Sequence, residues 1–191
     1  MKTNDPIGGM GNSVIVSGEE LIQIAFSVPD LAAAMDWWTD AIGIGPWFVL
    51  DRIGRDRSTY RGRPGDAEFT IAVALSGTMM IELIQALDDK PSVYKEARER
   101  RGHGFHHVGK FRPDVEQLAE AYEAEGQSIV FQAPAPGGGN VFFIDRGGGG
   151  PGFIELIDDN ESTRKLSNAM RRASVGWKGE RPTRSFAELL S

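Results

Sequence analysis

The feature that most constrains this chain is that part of it is written twice. Displaced by 84 positions, Leu21-Ile22-Gln23-Ile24-Ala25 falls on Phe105-His106-His107-Val108-Gly109, and in the same register Pro29-Asp30-Leu31 falls on Pro113-Asp114-Val115. Further on, Ile81-Glu82-Leu83-Ile84 recurs letter for letter as Ile154-Glu155-Leu156-Ile157, 73 positions later. Repeats of this kind describe supersecondary units that bury their apolar faces against one another. Two modules are therefore expected, each opening with an apolar strand and closing on an Ile-Glu-Leu-Ile strand.

Periodicity fills in each module. Ile22, Ile24 and Phe26 alternate with Gln23, Ala25 and Ser27, the pattern of a half-buried strand. Pro29-Asp30 ends it, and Asp30 is placed to cap a helix in which Leu31, Met35, Trp38 and Ile42 share one face. After the breaker cluster 43–46 come a short strand at Trp47–Leu50, a loop or ragged hairpin over 51–65 and two strands, Phe69–Leu75 and Met79–Ile84. The second module repeats the order: strand Phe105–Phe111, a helix from Asp114 to about Glu125, and strands at Ser128–Gln132, Val141–Asp145 and Phe153–Ile157. The expected class is α+β, two paired β-α-β-β-β modules with a helical C-terminal tail. The expected divisions are a flexible arm (1–17), a first module (18–88), a connector (89–103) with a polar helix from Ser92 to Arg101, a second module (104–160) and a tail (161–191). The tail has a helix over Ser162–Ser174, no counterpart in the first module, and a surface that a partner subunit could cover.

Composition excludes several function classes. A net charge of −6 argues against general nucleic-acid binding, which needs a basic surface. No apolar run reaches the roughly 18 residues of a membrane span. The first 17 residues lack the apolar core of a signal peptide, and the absence of cysteine removes disulfides and thiolate ligands. A cytoplasmic protein with a small-molecule partner is expected.

Four polar residues stand at equivalent strand positions, Gln23 and His107 on the opening strands, Glu82 and Glu155 on the closing ones. If first and last strands lie side by side and the modules face each other, an amide, an imidazole and two carboxylates converge. Oxygen and nitrogen donors without sulfur suit Zn²⁺, Ni²⁺, Co²⁺, Mn²⁺ or Mg²⁺. A carboxylate between aliphatic strand residues needs a partner if it faces inward. His106 is expected on the opposite face as a packing residue, and His103 in a loop. One of Trp37 and Trp38 should pack and the other face a pocket or interface. The five arginines of 52–63 form a solvated loop or, alternatively, a grip on an anionic substrate. The glycine runs at 137–139 and 147–150 lack the lysine and the strand-to-helix context of a phosphate loop and read as hairpin turns.

The segments 23–31, 37–43, Ile81-Glu82-Leu83, Gly104-Phe105-His106-His107-Val108 and Phe153-Ile154-Glu155-Leu156 resemble the vicinal oxygen chelate superfamily, the group of glyoxalase, bleomycin-resistance and methylmalonyl-CoA epimerase proteins. The resemblance runs from about Glu20 to Asp158. It implies the glyoxalase/bleomycin-resistance fold, a homodimer, and one divalent metal ion held by Gln23, Glu82, His107 and Glu155, a set similar to that of some glyoxalase I enzymes. It implies an isomerase, epimerase or lyase that removes a proton beside a metal-bound carbonyl through an enolate, with Glu155 as base and Glu82 second. Its substrate would be an acyl-CoA, a thiol adduct or an α-hydroxycarbonyl compound. Methylmalonyl-CoA epimerases more often carry His first and Gln second, and a further acid ahead of the third strand, where this chain has only Asp66 and Glu68. Extradiol dioxygenases need two His and one Glu, which Gln23 and Glu82 do not supply. The alternative is a binding or sequestration module of the bleomycin-resistance type, and a metal-dependent transferase or hydrolase is a third.

Overall fold

The computed structural model describes residues 20–147 and 149–190; the expected N-terminal arm lies outside them. The chain runs β1 (Gln23–Ser27), α1 (Leu31–Ile42), β2 (Trp47–Gly54), a 3-10 turn (Arg55–Arg57), the short strands β3 (Ser58–Tyr60) and β4 (Arg63–Gly65), β5 (Glu68–Ser76) and β6 (Met79–Ala86). It continues with α2 (Val93–Arg101), β7 (Gly104–Arg112), α3 (Val115–Ala124), β8 (Ser128–Pro134), β9 (Asn140–Asp145), β10 (Phe153–Asp158), α4 (Glu161–Ser174), β11 (Thr183–Ser185) and a last 3-10 turn (Phe186–Leu190). This is the α+β architecture of two β-α-β-β-β modules and a helical tail. No helix among the described residues is long and apolar enough to cross a membrane.

All strands join one curved sheet in the order β11-β2-β5-β6-β1-β7-β10-β9-β8-β3-β4. The two opening strands meet at its centre and run antiparallel, with Gln23 opposite Gly109 and Ala25 opposite His107. The repeat offset of 84 sends Gln23 to His107 and Ala25 to Gly109, so the two pairings exchange under a pseudo-two-fold axis between β1 and β7. The closing strands flank them in parallel, Ala25 beside Glu82 and Gly109 beside Glu155, again equivalent pairings. Symmetry of the sequence thus becomes symmetry of the sheet, and the four polar positions fall on its four central strands.

Alternation of side chains assigns the two faces. Outward, Ile81 and Leu83 join Trp47 and Ala72 in packing on Leu31 and Met35 of α1, while Leu156, Phe142 and Ile144 pack on Val115, Leu118 and Tyr122 of α3. Asp30 caps α1, its Oδ1 accepting from the Ala33 N–H at 3.0 Å, and Gly43 closes it in the left-handed conformation. Trp38 packs on Phe26 at 5.6 Å between ring centroids, whereas Trp37 is 58% exposed. Inward, α2 covers one end of the sheet and α4 with the last 3-10 turn covers the other.

Two elements differ from the sequence expectation. Residues 51–65 extend β2 and then form the β3–β4 hairpin, which leaves the first module and pairs with β8 of the second (Tyr60 opposite Phe131). Its arginines are used locally: Arg61 grips Glu96 through Nε at 2.9 Å and Nη2 at 2.6 Å, and Arg52 and Arg55 reach Glu68. The tail is the second difference. It lies across its own sheet, with β11 adding a parallel strand beside β2.

Candidate metal centre

The four expected ligands come together. Gln23, Glu82, His107 and Glu155 are all buried and meet at the middle of the inner face. Gln23 Nε2 lies 3.0 Å from His107 Nε2 and 2.7 Å from Glu155 Oε2, and it donates to Glu82 Oε2 as well. His107 Nε2 is 3.1 Å from Glu155 Oε2 and 3.5 Å from Glu82 Oε2. Ligand atoms of Glu82, His107 and Glu155 fall within 4.8 Å of one another.

Close backbone approach permits this convergence. Gly109 sits under the cluster, and a Cβ there would come within 2.9 Å of Gln23 Cβ and 3.3 Å of Glu155 Oε2. The equivalent position in the other module is Ala25, fully buried. The second module therefore needs a glycine where the first tolerates a methyl group.

His106 departs from the expectation that it would face away. The pairing of β1 with β7 slips between Ala25 and Phe26, leaving His106 as the extra residue of a β-bulge. The bulge turns both imidazoles to the inner side, with His106 Nδ1 2.8 Å from His107 Nδ1. Burial drives the His106 pKa well below the usual histidine range, helped by His107 and Arg101, with only the Val93 carbonyl acting against it. A neutral His106 that accepts at Nδ1 leaves His107 to donate from its own Nδ1 and to present Nε2 to the cluster. That is the tautomer a metal-binding imidazole needs. In this tautomer the His106 proton sits on Nε2.

The electrostatics are those of a site short of positive charge. Burial lowers the His107 pKa, but the Glu155 and Glu82 carboxylates outweigh it and lift the group to about 9. Burial raises Glu82, with His107 opposing. With His107 in the neutral form that cation binding requires, one amide NH₂ with two hydrogens would face three acceptor atoms, so the donors could not satisfy the acceptors. A divalent cation would, with Gln23 turning its amide oxygen inward by a half-turn about its last side-chain bond. The all-oxygen-and-nitrogen donor set suits the ions named above.

Beside the cluster lies a cavity of about 110 Å³ whose polar floor includes Gln23, Glu82 and Glu155. Its walls are largely apolar, built by Ile71, Val73, Met80, Val141 and Ile157 from the sheet and by Leu166 and Met170 from α4, where Thr163 and Ser167 add two hydroxyls. Asp66 and Glu68 do not line it, and none of the arginines of 52–63 does. The contribution of α4 left no signal in the repeat, because the tail has no copy.

The sequence pattern of the glyoxalase/bleomycin resistance protein/dioxygenase superfamily matches residues 22–144. The chain belongs to that superfamily. The matched stretch contains Gln23, Glu82 and His107; Glu155 and the tail lie beyond it. No curated protein sequence matches this superfamily member. Its fold is similar to that of a hypothetical protein from Bacillus halodurans C-125, at 17% identity over 75% of this chain and 96% of the other, with a TM-score of 0.56. It is similar to methylmalonyl-CoA epimerase from Mycobacterium tuberculosis (19% identity, 75% and 90% covered, TM-score 0.54). A variant of the Streptomyces coelicolor methylmalonyl-CoA epimerase in complex with 2-nitronate-propionyl-CoA is similar as well (15% identity, 75% and 96% covered, TM-score 0.55). At these identities the likeness is one of fold.

Proposed function

We propose that this superfamily member is a divalent-metal-dependent isomerase, epimerase or lyase that removes a proton from the carbon next to a carbonyl. The observation that carries the reading is the meeting of Gln23, Glu82, His107 and Glu155 in one buried cluster, with Gln23, Glu82 and Glu155 at the floor of a largely apolar cavity. A metal ion held by those four side chains would polarise the substrate carbonyl and stabilise the enolate left when the adjacent C–H is deprotonated.

The chain's own groups do the rest. Glu155 Oε2, at the cavity floor and hydrogen-bonded to Gln23, is the base that takes the proton from carbon and returns it to the product. Glu82, its symmetry counterpart, is second in line. His106 holds His107 in one tautomer. The largely apolar walls lower the local dielectric, which strengthens each charge interaction at the floor. No carboxylate other than these two lines the cavity among the described residues, so proton removal and return fall to the metal-site glutamates.

Solvent deuterium uptake at the carbon next to the carbonyl is the test. Methylmalonyl-CoA and hemithioacetals of glutathione are the first substrates to try, since the fold neighbours include methylmalonyl-CoA epimerases. Glu155→Gln is expected to lower the exchange rate at least 100-fold, within the range lost with a general base. Full exchange in that variant would assign the base elsewhere.

A further inference from the structure

We infer that α4 is the specificity wall of the cavity and restricts the substrate to one whose chelating oxygens carry a short, uncharged alkyl group. This rests on the metal-centred reading above and adds the substrate class. The side of the cavity facing the sheet is fixed by strands, but the opposite side is dominated by Leu166 and Met170, one helical turn apart on α4, and Phe186 of the last 3-10 turn, with the uncharged Thr163 and Ser167 beside them. Leu166, Met170 and Phe186 are buried, and among the described residues no lysine or arginine lines the cavity. A carboxylate or phosphate placed under α4 would find no counter-charge there, so any charged or bulky arm of the substrate, such as CoA or glutathione, has to extend out of the cavity's open side. A volume of about 110 Å³ is also well below the roughly 300 Å³ at which pockets for larger organic ligands begin.

The wall is fastened at both ends. On the second module, α4 passes so close to the β8–β9 turn that a Cβ on Gly137 would come within 2.9 Å of Thr163 Oγ1 and 3.1 Å of Leu166 Cδ1. Asn160 donates to the Gly138 carbonyl at 2.9 Å while its Oδ1 caps α4 at Thr163 N. On the first module, Trp177 lies against Gly45 where a Cβ would otherwise sit, Trp47 N–H donates to the Pro182 carbonyl at 2.7 Å, and β11 pairs with β2. The segment is thus strapped from one rim of the sheet to the other, over the site. It begins 17 residues after the superfamily match ends (161 − 144 = 17) and has no counterpart in the first module.

The test uses the full chain loaded with Co²⁺ and a series of straight-chain hydroxamates, from acetohydroxamate to octanohydroxamate, as bidentate oxygen chelators. Dissociation constants are read from the Co²⁺ absorption spectrum, which reports binding whether or not the protein turns over a substrate. In the wild type, affinity is expected to peak at a short chain and fall beyond it. Leu166→Ala and Met170→Ala should each move the optimum by about two methylenes, at about fourfold in affinity for each methylene newly accommodated. Leu189→Ala, which removes a buried side chain packed on α4 without lining the cavity, should leave the optimum unchanged. Two cavity-wall variants guard against one failing to fold. Co²⁺ uptake with the same chain-length profile in wild type and both wall variants overturns the inference and leaves the metal reading standing. Failure to take up Co²⁺ overturns the metal reading and the inference with it.

Discussion

The inner face of the sheet is finished differently at its two ends, and the difference separates scaffold from site. Under α2 the end is solid: Tyr94 stacks on His106 at 5.2 Å and lies 4.4 Å from Phe69, while Phe131, Phe143 and Phe153 fill the remaining space. Under α4 the covering helix packs Leu166 and Met170 on Phe48 and Val73 but leaves a cavity toward the centre of the sheet. The polar cluster sits at the boundary, held from behind by an aromatic core and open in front to a small apolar chamber. Rigidity at one end lets a precise ligand geometry persist at the edge of empty space at the other.

The comparison breaks first at the solid end. Phe153→Ala removes a side chain that is 2% exposed and packs 5.3 Å from the His106 ring, and it should cost about 3–5 kcal/mol of folding stability. Urea unfolding checks this. Leu166→Ala at the open end should fall toward the lower part of the roughly 2–5 kcal/mol range for such truncations, since an existing cavity already borders it. Equal losses at the two ends would mean that the α4 end is packed as tightly as the other.

A smaller effect is expected at the boundary. Gly109→Ala would push a methyl group against Gln23 and Glu155, costing about 1–3 kcal/mol as an overpacked site. Because the displaced groups are ligands, metal affinity should fall with stability, whereas Phe153→Ala should lower stability with less effect on affinity. Isothermal titration of each variant with Zn²⁺ distinguishes the two.

The smallest effect is on pH dependence. In metal-free protein the folded-state pKa of His107 is raised to about 9, above its usual 6.5, and that of Glu82 is also raised. Groups raised in this way stabilise the fold fully below their unfolded pKa and lose that contribution as pH climbs through the folded value. The melting temperature of metal-free protein should therefore fall between about pH 6.5 and pH 9. The metal-loaded protein should behave oppositely at the acid end, because cation binding needs neutral His107 and ionised carboxylates. Parallel melting curves against pH, with and without metal, check the sign.

Much of this arrangement was legible in the sequence because it is carried by repetition. The 84-residue offset located β1 and β7, the duplicated Ile-Glu-Leu-Ile located β6 and β10, and period-two alternation put Gln23, Glu82, His107 and Glu155 on one face. What escaped was non-periodic. The β-bulge at His106 is a property of the pairing with β1, and a His-His pair in a strand looks the same with or without it. The β3–β4 hairpin is short and arginine-rich, so its pairing with β8 depends on partners such as Glu96 that are distant in sequence. The tail's helix was readable from its own pattern, yet its place over the cavity follows from the approach to Gly137 and Gly45, which spacing alone does not encode.

The central claim is that four side chains brought together by an internal repeat hold a metal ion. The direct measurement is the metal content of protein purified without chelator or added metal, wild type beside Glu155→Ala, with folding of both verified by circular dichroism. The account predicts close to one divalent ion per chain in the wild type and loss of it in the folded variant. A folded wild type that holds no metal, even after reconstitution with each candidate ion, would contradict it.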